Sequence, residues 1–353
     1  MTTTTVIPIA ELTAKQTADW IALLPEDGPM SSPFVRPEYA VFAGRALPNV
    51  EVAILSHGEA NLGFLPFERH PGDVGLPVGQ YMSSLHGVVA DAELQWDAEM
   101  LVRDCGLNAW QFDHLVADQT PFEPYHCYRD DSFFMDLSEG FEAYAEQRRD
   151  NGSSVIKQAA RKQRKLQREL GPIRFSAHTT DQSSWDAFVR WKSEQLIRQG
   201  YANMFQLDWV NALLEELRTV SEADFSALLS TVHAGDTLIA VHLGLKSPTV
   251  VDSWIPAFAN EYAKYSPGLI LQVELARWAA ESGITRVDLG RGENQMKLSL
   301  ASGAFDVAVG SVDRRIVQRT WTRTYYGLRN LVHSSPFRNV SQRAVQRIKT
   351  WLS

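Results

Sequence analysis

"DSWIPAFANEYAKYSPGLILQVELARWAAESGITRVDLGRGENQMK", residues 252–297, decides how the rest of the chain is read. It opens inside the strand-like run "TVVDSWIPAF" (249–258), rich in β-branched and aromatic residues. Ser266 suits a helix N-cap, Pro267 a first turn and Gly283 an end, so "SPGLILQVELARWAAESG" predicts a helix. Its apolar residues lie nearly all round, which predicts burial. "ITRVDLG" (284–290) is the next strand. Upstream, "TLIAVHLGLK" (237–246) is a strand parted from 249–258 by a turn at Ser247 and Pro248. The order is therefore an antiparallel strand pair, a buried helix and a further strand.

Moving outward, residues 227–245 read as strand, polar glycine turn, strand, and so do residues 50–68, "VEVAILSHGEANLGFLPFE". Each hairpin follows a helical opening and precedes more strand-like sequence. Two similar α/β units in tandem are expected, and 353 residues are too many for one ordinary core. Between the units, residues 141–170 are helical by composition. Val155, Ile156, Ala159, Ala160, Leu166 and Leu170 form a narrow apolar stripe beside dense Lys and Arg. Gly171 and Pro172 end that helix, "IRFSAH" starts a strand, and "SSWDAFVRWKSEQLIRQG" is a helix closing at Gly200.

Order and motif together resemble the GNAT acyltransferase superfamily. More narrowly, they resemble the bacterial group named after a cellulose-biosynthesis acetyltransferase (CelD-like), which is related to the FemAB peptidyltransferases. The carrying residues are Tyr265, Ser266, Pro267 and Gly268 before the helix, then Asp288, Gly290, Gly292 and Lys297 after the strand. The basic helix at 153–170 fits the same group; the likeness runs over residues 140–312 in good order and reaches the N-terminal half by architecture alone. It implies an α/β (α+β) fold of tandem GNAT-like domains, each a mixed, mostly antiparallel sheet flanked by helices. The expected domains are 1–150 and a C-terminal acyltransferase domain at 151–312, with a basic helical tail at 313–353. It also implies an N-acetyltransferase: acetyl-CoA as donor, no metal, and an amine as acceptor. By family analogy the acceptor is an amino sugar of a cell-surface polysaccharide or its lipid-linked precursor. Ordinary GNAT enzymes carry Arg/Gln-x-x-Gly-x-Gly/Ala where the CoA pyrophosphate binds, whereas this chain has "YAKYSPGL" with one glycine. Two alternatives therefore stay open: a FemAB-like transferase using aminoacyl-tRNA, and a non-catalytic binding module.

Acyl transfer needs a polarised thioester, a neutral amine, a proton for the leaving thiolate and a grip on the donor. Free N–H groups at the helix start, over Ser266, Gly268, Leu269 and Ile270, could take the donor phosphates. Asp252 and Trp254 share one face of a strand, and an acid there should face a cleft or be paired. Asp252 is the first candidate to bind or deprotonate the amine, and Trp254 to stack on a sugar ring. Tyr265 is the candidate to protonate the thiolate, with Tyr262 second. His233 and His242 titrate near neutrality but read as a turn residue and a core residue. "DLGRGENQMK" (288–297) lacks the glycine before Lys297 that a Walker loop needs and the third glycine of a dinucleotide fingerprint. It reads instead as a strand-end loop bringing Asp288, Arg291, Glu293 and Lys297 to substrate, with Gly290 and Gly292 permitting close approach.

Composition sets the remaining bounds. Hydrophobic residues at 44% and charged residues at 22% belong to a globular protein. No run of about 18 apolar residues marks a membrane span. The N-terminus lacks an export pattern, and Cys105 and Cys127 carry no ligand spacing, so a cytoplasmic protein without disulfides or zinc is expected. The net charge of −8 hides +7 over residues 148–168 and +8 over 313–353, leaving −23 elsewhere. "FRNVSQRAVQRIKTWLS" (337–353) has the pattern of a basic amphipathic helix that can lie on an anionic membrane. Arg314, Arg315, Arg319 and Arg323 could instead bind a phosphate-bearing ligand such as a nucleotide. Nucleic acid enters as a partner only if tRNA is the donor.

Overall fold

The structure is a computed structural model describing residues 2–315. The tail from residue 316 onward, with Arg319, Arg323 and the amphipathic pattern, lies outside the described residues. Along the first repeat run β1 (Thr3–Pro8), β2 (Val50–His57), β3 (Ala60–His70), β4 (Val74–Leu76), β5 (Val89–Ala90), β6 (Ala109–Val116) and β7 (His126–Asp136). Along the second run β8 (Ile173–Ser176), β9 (Ser226–Ala234), β10 (Thr237–Lys246), β11 (Val250–Phe258), β12 (Arg286–Arg291) and β13 (Gly303–Asp313). The helices are α1 (Ala14–Ala22), α2 (Pro37–Ala46), α3 (Ala98–Asp104), α4 (Gly140–Asp150), α5 (Val155–Leu170), α6 (Gln182–Arg198), α7 (Asp208–Arg218), α8 (Pro267–Glu281) and α9 (Gln295–Leu300).

All these strands join in one sheet, ordered β1-β2-β3-β4-β6-β13-β7-β12-β11-β10-β9-β8, with β5 attached to β3. The order is a palindrome of the two repeats. From either edge, antiparallel strands lead to a parallel pair made through a helix: β4 with β6 across α3, and β11 with β12 across α8. The closing strands are exchanged. β7 follows β6 in the chain but pairs with β12, and β13 follows β12 but pairs with β6. β7 and β13 then pair with each other, antiparallel, in the middle of the sheet.

The period-two alternation explains why the sheet is covered on both sides. In β2, Val52 and Ile54 join a core with residues of α1, α2, α6 and α7, whereas Ala53 and Leu55 join a core with α3. In the second repeat, Leu229, Val241 and Leu243 face the first group, and Val251 and Val287 face α4, α5 and α8. As its all-round apolar sequence predicts, α8 buries Ile270, Leu271, Val273, Leu275, Ala276 and Ala279. The helical stretch 141–170 is two helices, parted where Gly152 turns with φ +79°. The hairpin between β9 and β10 requires its glycine: a Cβ at Gly235 (φ +58°) would lie 2.3 Å from the Leu170 carbonyl that ends α5.

Candidate functional site

β11 and β12 pair only over Val250↔Arg286, Val251↔Val287 and Asp252↔Asp288. Beyond that point β12 bulges against β7 between Asp288 and Gly290 and turns away through Gly290 and Gly292, at φ +77° and +87°. Parallel strands that separate leave an opening between them. On one side lies a cavity of about 260 Å³, whose walls include Asp252, Trp254, Arg291 and Lys297. Distant segments complete it with Tyr81, Ser84, His114 and Lys192.

The chemistry of this cavity centres on buried charges. Asp252 is 3% exposed, accepts a hydrogen bond from Ser84 Oγ at 3.3 Å, and sits opposite Asp288 on the neighbouring strand. Burial, reinforced by the Asp288 charge, pushes the Asp252 pKa well above the ordinary carboxylate range. Asp288 is held by Arg286, whose Nε donates to Oδ1 at 2.7 Å and Nη2 to Oδ2 at 3.3 Å. Lys297 Nζ donates to the carbonyls of Gly290 (3.1 Å) and Arg291 (2.8 Å). Burial lowers its pKa to about 8, against the pull of Asp252. An acid made more basic and a lysine made more acidic thus line one small cavity, the arrangement that proton transfer near neutral pH requires.

A second cavity, of about 700 Å³, lies on the other side of α9. Gln295, Met296, Leu298 and Ser299 line it, while Lys297 on the same helix lines the smaller one. Its opposite wall is the start of α8, with Ser266, Pro267, Gly268 and Leu269. Ser266 stands at the N-cap position but in the left-handed region (φ +52°), and its side chain makes no capping bond. That differs from the expected Ser cap. Its carbonyl takes the N–H groups of Leu269 (3.0 Å) and Ile270 (3.2 Å), and Pro267 has none to offer. Gly268 therefore carries the open N–H of this turn.

A family profile described as "Acetyltransferase (GNAT) domain" matches residues 153–298, the span containing β8 to β12, α8 and both lysine-bearing segments of the small cavity. The likeness to a GNAT domain is carried by this span. No curated protein matches it in sequence. Among solved structures, FemX is similar at a TM-score of 0.58 and 10% identity, covering 90% of this chain and 98% of that one. The C-terminal domain of a protein described as a lysylphosphatidylglycerol synthetase from Agrobacterium fabrum is similar at 0.55 and 11% identity, covering 87% and 94%. At such identities the likeness is one of fold. It extends over both repeats, which agrees with the palindromic sheet.

Within the matched span the sequence-derived residues separate into groups. Asp252, Trp254, Arg291 and Lys297 come together in the small cavity. Trp254 Nε1 donates to the Met82 carbonyl at 2.6 Å, which fixes the ring in the wall. Arg291 donates to the Asp113 carbonyl and lies 3.7 Å from Asp130. Ser266, Gly268 and Leu269 line the large cavity, and Ile270 is buried in the core beneath. Asp288 lines neither cavity: Arg286 holds it, and it acts on Asp252 only through its field. Glu293 is exposed. Tyr265 is buried and donates its hydroxyl to Glu169 on α5, so it stands apart from the small cavity. Tyr262 packs against the same cluster. His242 is wholly buried, with its pKa lowered to about 3 by burial, and remains neutral in the core. Gly290 and Gly292 are required by their positive φ rather than by a close approach: a Cβ built at Gly290 would lie 3.9 Å from Lys297 Nζ, and one at Gly292 would have no neighbour within 4 Å among the described residues.

Sequence reasoning did not find Ser84, His114, Lys192 or Tyr81. Ser84 meets Asp252 across 168 residues, and no periodicity reports such a contact. Lys192 carried one readable signal: a lysine in α6 between Trp191 and Leu196, reaching the Pro256 carbonyl of β11 at 3.4 Å. Among the described residues no group of three or more His, Cys, Asp or Glu could hold a metal ion, and no helix is long and apolar enough to cross a membrane.

Proposed function

We propose that the protein is an N-acetyltransferase that moves an acetyl group from acetyl-CoA to an amine. The observation carrying this reading is the opening between β11 and β12, with a helix-start cavity on one side and an acid–base cavity on the other. The donor's diphosphate would lie against the Gly268 N–H at the start of α8, where the helix dipole favours negative charge. Its thioester would pass between the separated strands, whose unpaired backbone N–H groups are suited to stabilise the developing oxyanion. Asp252 takes the proton that makes the amine nucleophilic, and Lys297 returns a proton to the departing thiolate. That second role falls to Lys297 rather than Tyr265, whose hydroxyl is committed to Glu169.

For the acceptor we propose the amine of an amino sugar, seated beside Trp254, in a cell-surface polysaccharide or its lipid-linked precursor. A cavity of about 260 Å³ admits one sugar-sized unit and leaves the rest of a longer acceptor outside. A protein working on a lipid-linked acceptor would act at the inner membrane surface, where the basic residues beyond 315 would meet anionic lipid. Calorimetry with acetyl-CoA tests the donor: saturable binding is expected, and its absence at millimolar ligand would remove acetyl-CoA from the account. An aminoacyl-tRNA donor is the second reading, favoured by the exposed Lys157, Arg161, Arg164, Lys165 and Arg168 along α5. Salt-dependent tRNA binding without acetyl-CoA binding would select it.

A further inference from the structure

Seven of the nine α-helices among the described residues neutralise their own amino ends. Thr13, Asp97, Asp181 and Asn294 accept backbone N–H bonds at α1, α3, α6 and α9. Glu38, Glu142 and Asp208 put an acid into the first turn of α2, α4 and α7. The two with neither a bond to the N-cap side chain nor a first-turn acid are α5 and α8; at α5 the Val155 N–H reaches Ser153 Oγ at 3.4 Å, and no carboxylate is present. Both open onto the 700 Å³ cavity: Ser153, Ser154 and Val155 line it at the start of α5, and Ser266, Gly268 and Leu269 at the start of α8.

A third group makes this more than a coincidence of helix ends. Arg148, near the end of α4, lines the same cavity, is 8% exposed, and its Nε is buried with no hydrogen-bond partner. Among the described residues no carboxylate lies within ion-pair distance of it, although the neighbouring Arg149 pairs with both Glu146 and Asp150. A buried guanidinium normally has a carboxylate or phosphate partner, because its desolvation is otherwise uncompensated. Arginine's planar fork suits phosphate oxygens in particular.

We propose that Arg148 and the amino end of α5 form a second phosphate-binding site, facing the start of α8 across the cavity. The ligand is then a small nucleotide-type molecule with two separated phosphate groups, one at each helix start. For acetyl-CoA these are the diphosphate and the ribose 3′-phosphate. That matching rests on the proposed donor; the anion site itself does not. RNA is disfavoured because Arg148 points into a cavity, whereas the cations of α5 that could follow an RNA backbone are exposed.

The test is calorimetry on the full-length protein with CoA, 3′-dephospho-CoA and inorganic pyrophosphate, for wild type, Arg148→Met and Arg148→Lys. Wild type should bind CoA about tenfold or more tightly than dephospho-CoA, the scale of one charge-assisted hydrogen bond. Arg148→Met should bind the two forms equally, and Arg148→Lys should restore part of the preference. Equal binding of the two forms by wild type, or an undiminished preference in Arg148→Met, overturns the site. If Arg148→Met does not fold, the wild-type ratio and Arg148→Lys still decide. Pyrophosphate binding that depends on Arg148, without CoA binding, would retain the anion site and discard the CoA donor. Failure of all three ligands to bind would discard both, and Arg148-dependent tRNA binding in their place would overturn the small-ligand assignment.

Discussion

Asp252 is a carboxyl group placed where ionisation is expensive, between the Asp288 charge and the apolar walls of two strands, with Lys297 as its counterweight. If it is the base and Lys297 the acid, kcat/KM should rise as Asp252 loses its proton and fall as Lys297 loses its own, near pH 8. Asp252→Asn should lower kcat by about 10²–10⁴-fold and erase the acidic limb. Lys297→Gln should erase the alkaline one, and a profile unchanged by both would reject these roles. The same residue makes a stability prediction of opposite sign to its use. Burial raises the folded pKa above that of the unfolded chain, so the native state is favoured while Asp252 is protonated and loses that advantage as pH rises. Asn at 252 bears no such cost. The gain in Tm of Asp252→Asn over wild type should be near zero at pH 4 and grow toward pH 8; a pH-independent difference counts against a buried ionising Asp252. At this scale Asp252 was legible because an acid inside a strand calls for a reason, while Ser84 and Lys192 were not, because they arrive from other parts of the chain.

Element by element, α8 joins fold to site. Its start forms one wall of the 700 Å³ cavity, and Leu271 and Leu275 beneath are fully buried. Leu271→Ala should cost about 2–5 kcal/mol, the range for a cavity opened in a packed core, read from urea denaturation. A cost below about 1 kcal/mol would mean that α8 is not anchored as described. The helix, its flanking strands and both hairpins were readable from apolar pattern and from glycine and proline at their ends. Two local features were not. Ser266 has the chemistry of an N-cap yet takes the left-handed region and leaves the helix start open. The linker at 141–170 breaks into α4 and α5 at Gly152, and that break puts Arg148 and the start of α5 on the cavity.

The molecule as a whole is two copies of one strand order joined by an exchange of closing strands, β7 into the second repeat and β13 into the first. The tandem repeat was visible in the matched hairpins; the exchange was not, because β7 and β13 would show the same alternation beside either neighbour. It has a consequence for the site. β12 is held between β11 and a strand of the first repeat, and its bulge against β7 is what turns Gly290, Arg291 and the loop to Lys297 toward Asp252. The first repeat also contributes Tyr81, Ser84 and His114. Its own equivalent of α8, the seven-residue α3, has its amino end closed by Asp97, whereas the start of α8 has no such cap. The central claim is that a donor enters at the start of α8 and delivers its acyl group between β11 and β12. A crystal structure with acetyl-CoA bound tests it most directly. The account predicts the diphosphate against the Gly268 N–H and the thioester between Ser253 and Leu289, facing Asp252. Density for acetyl-CoA in any other place, or none at saturating ligand, would contradict it.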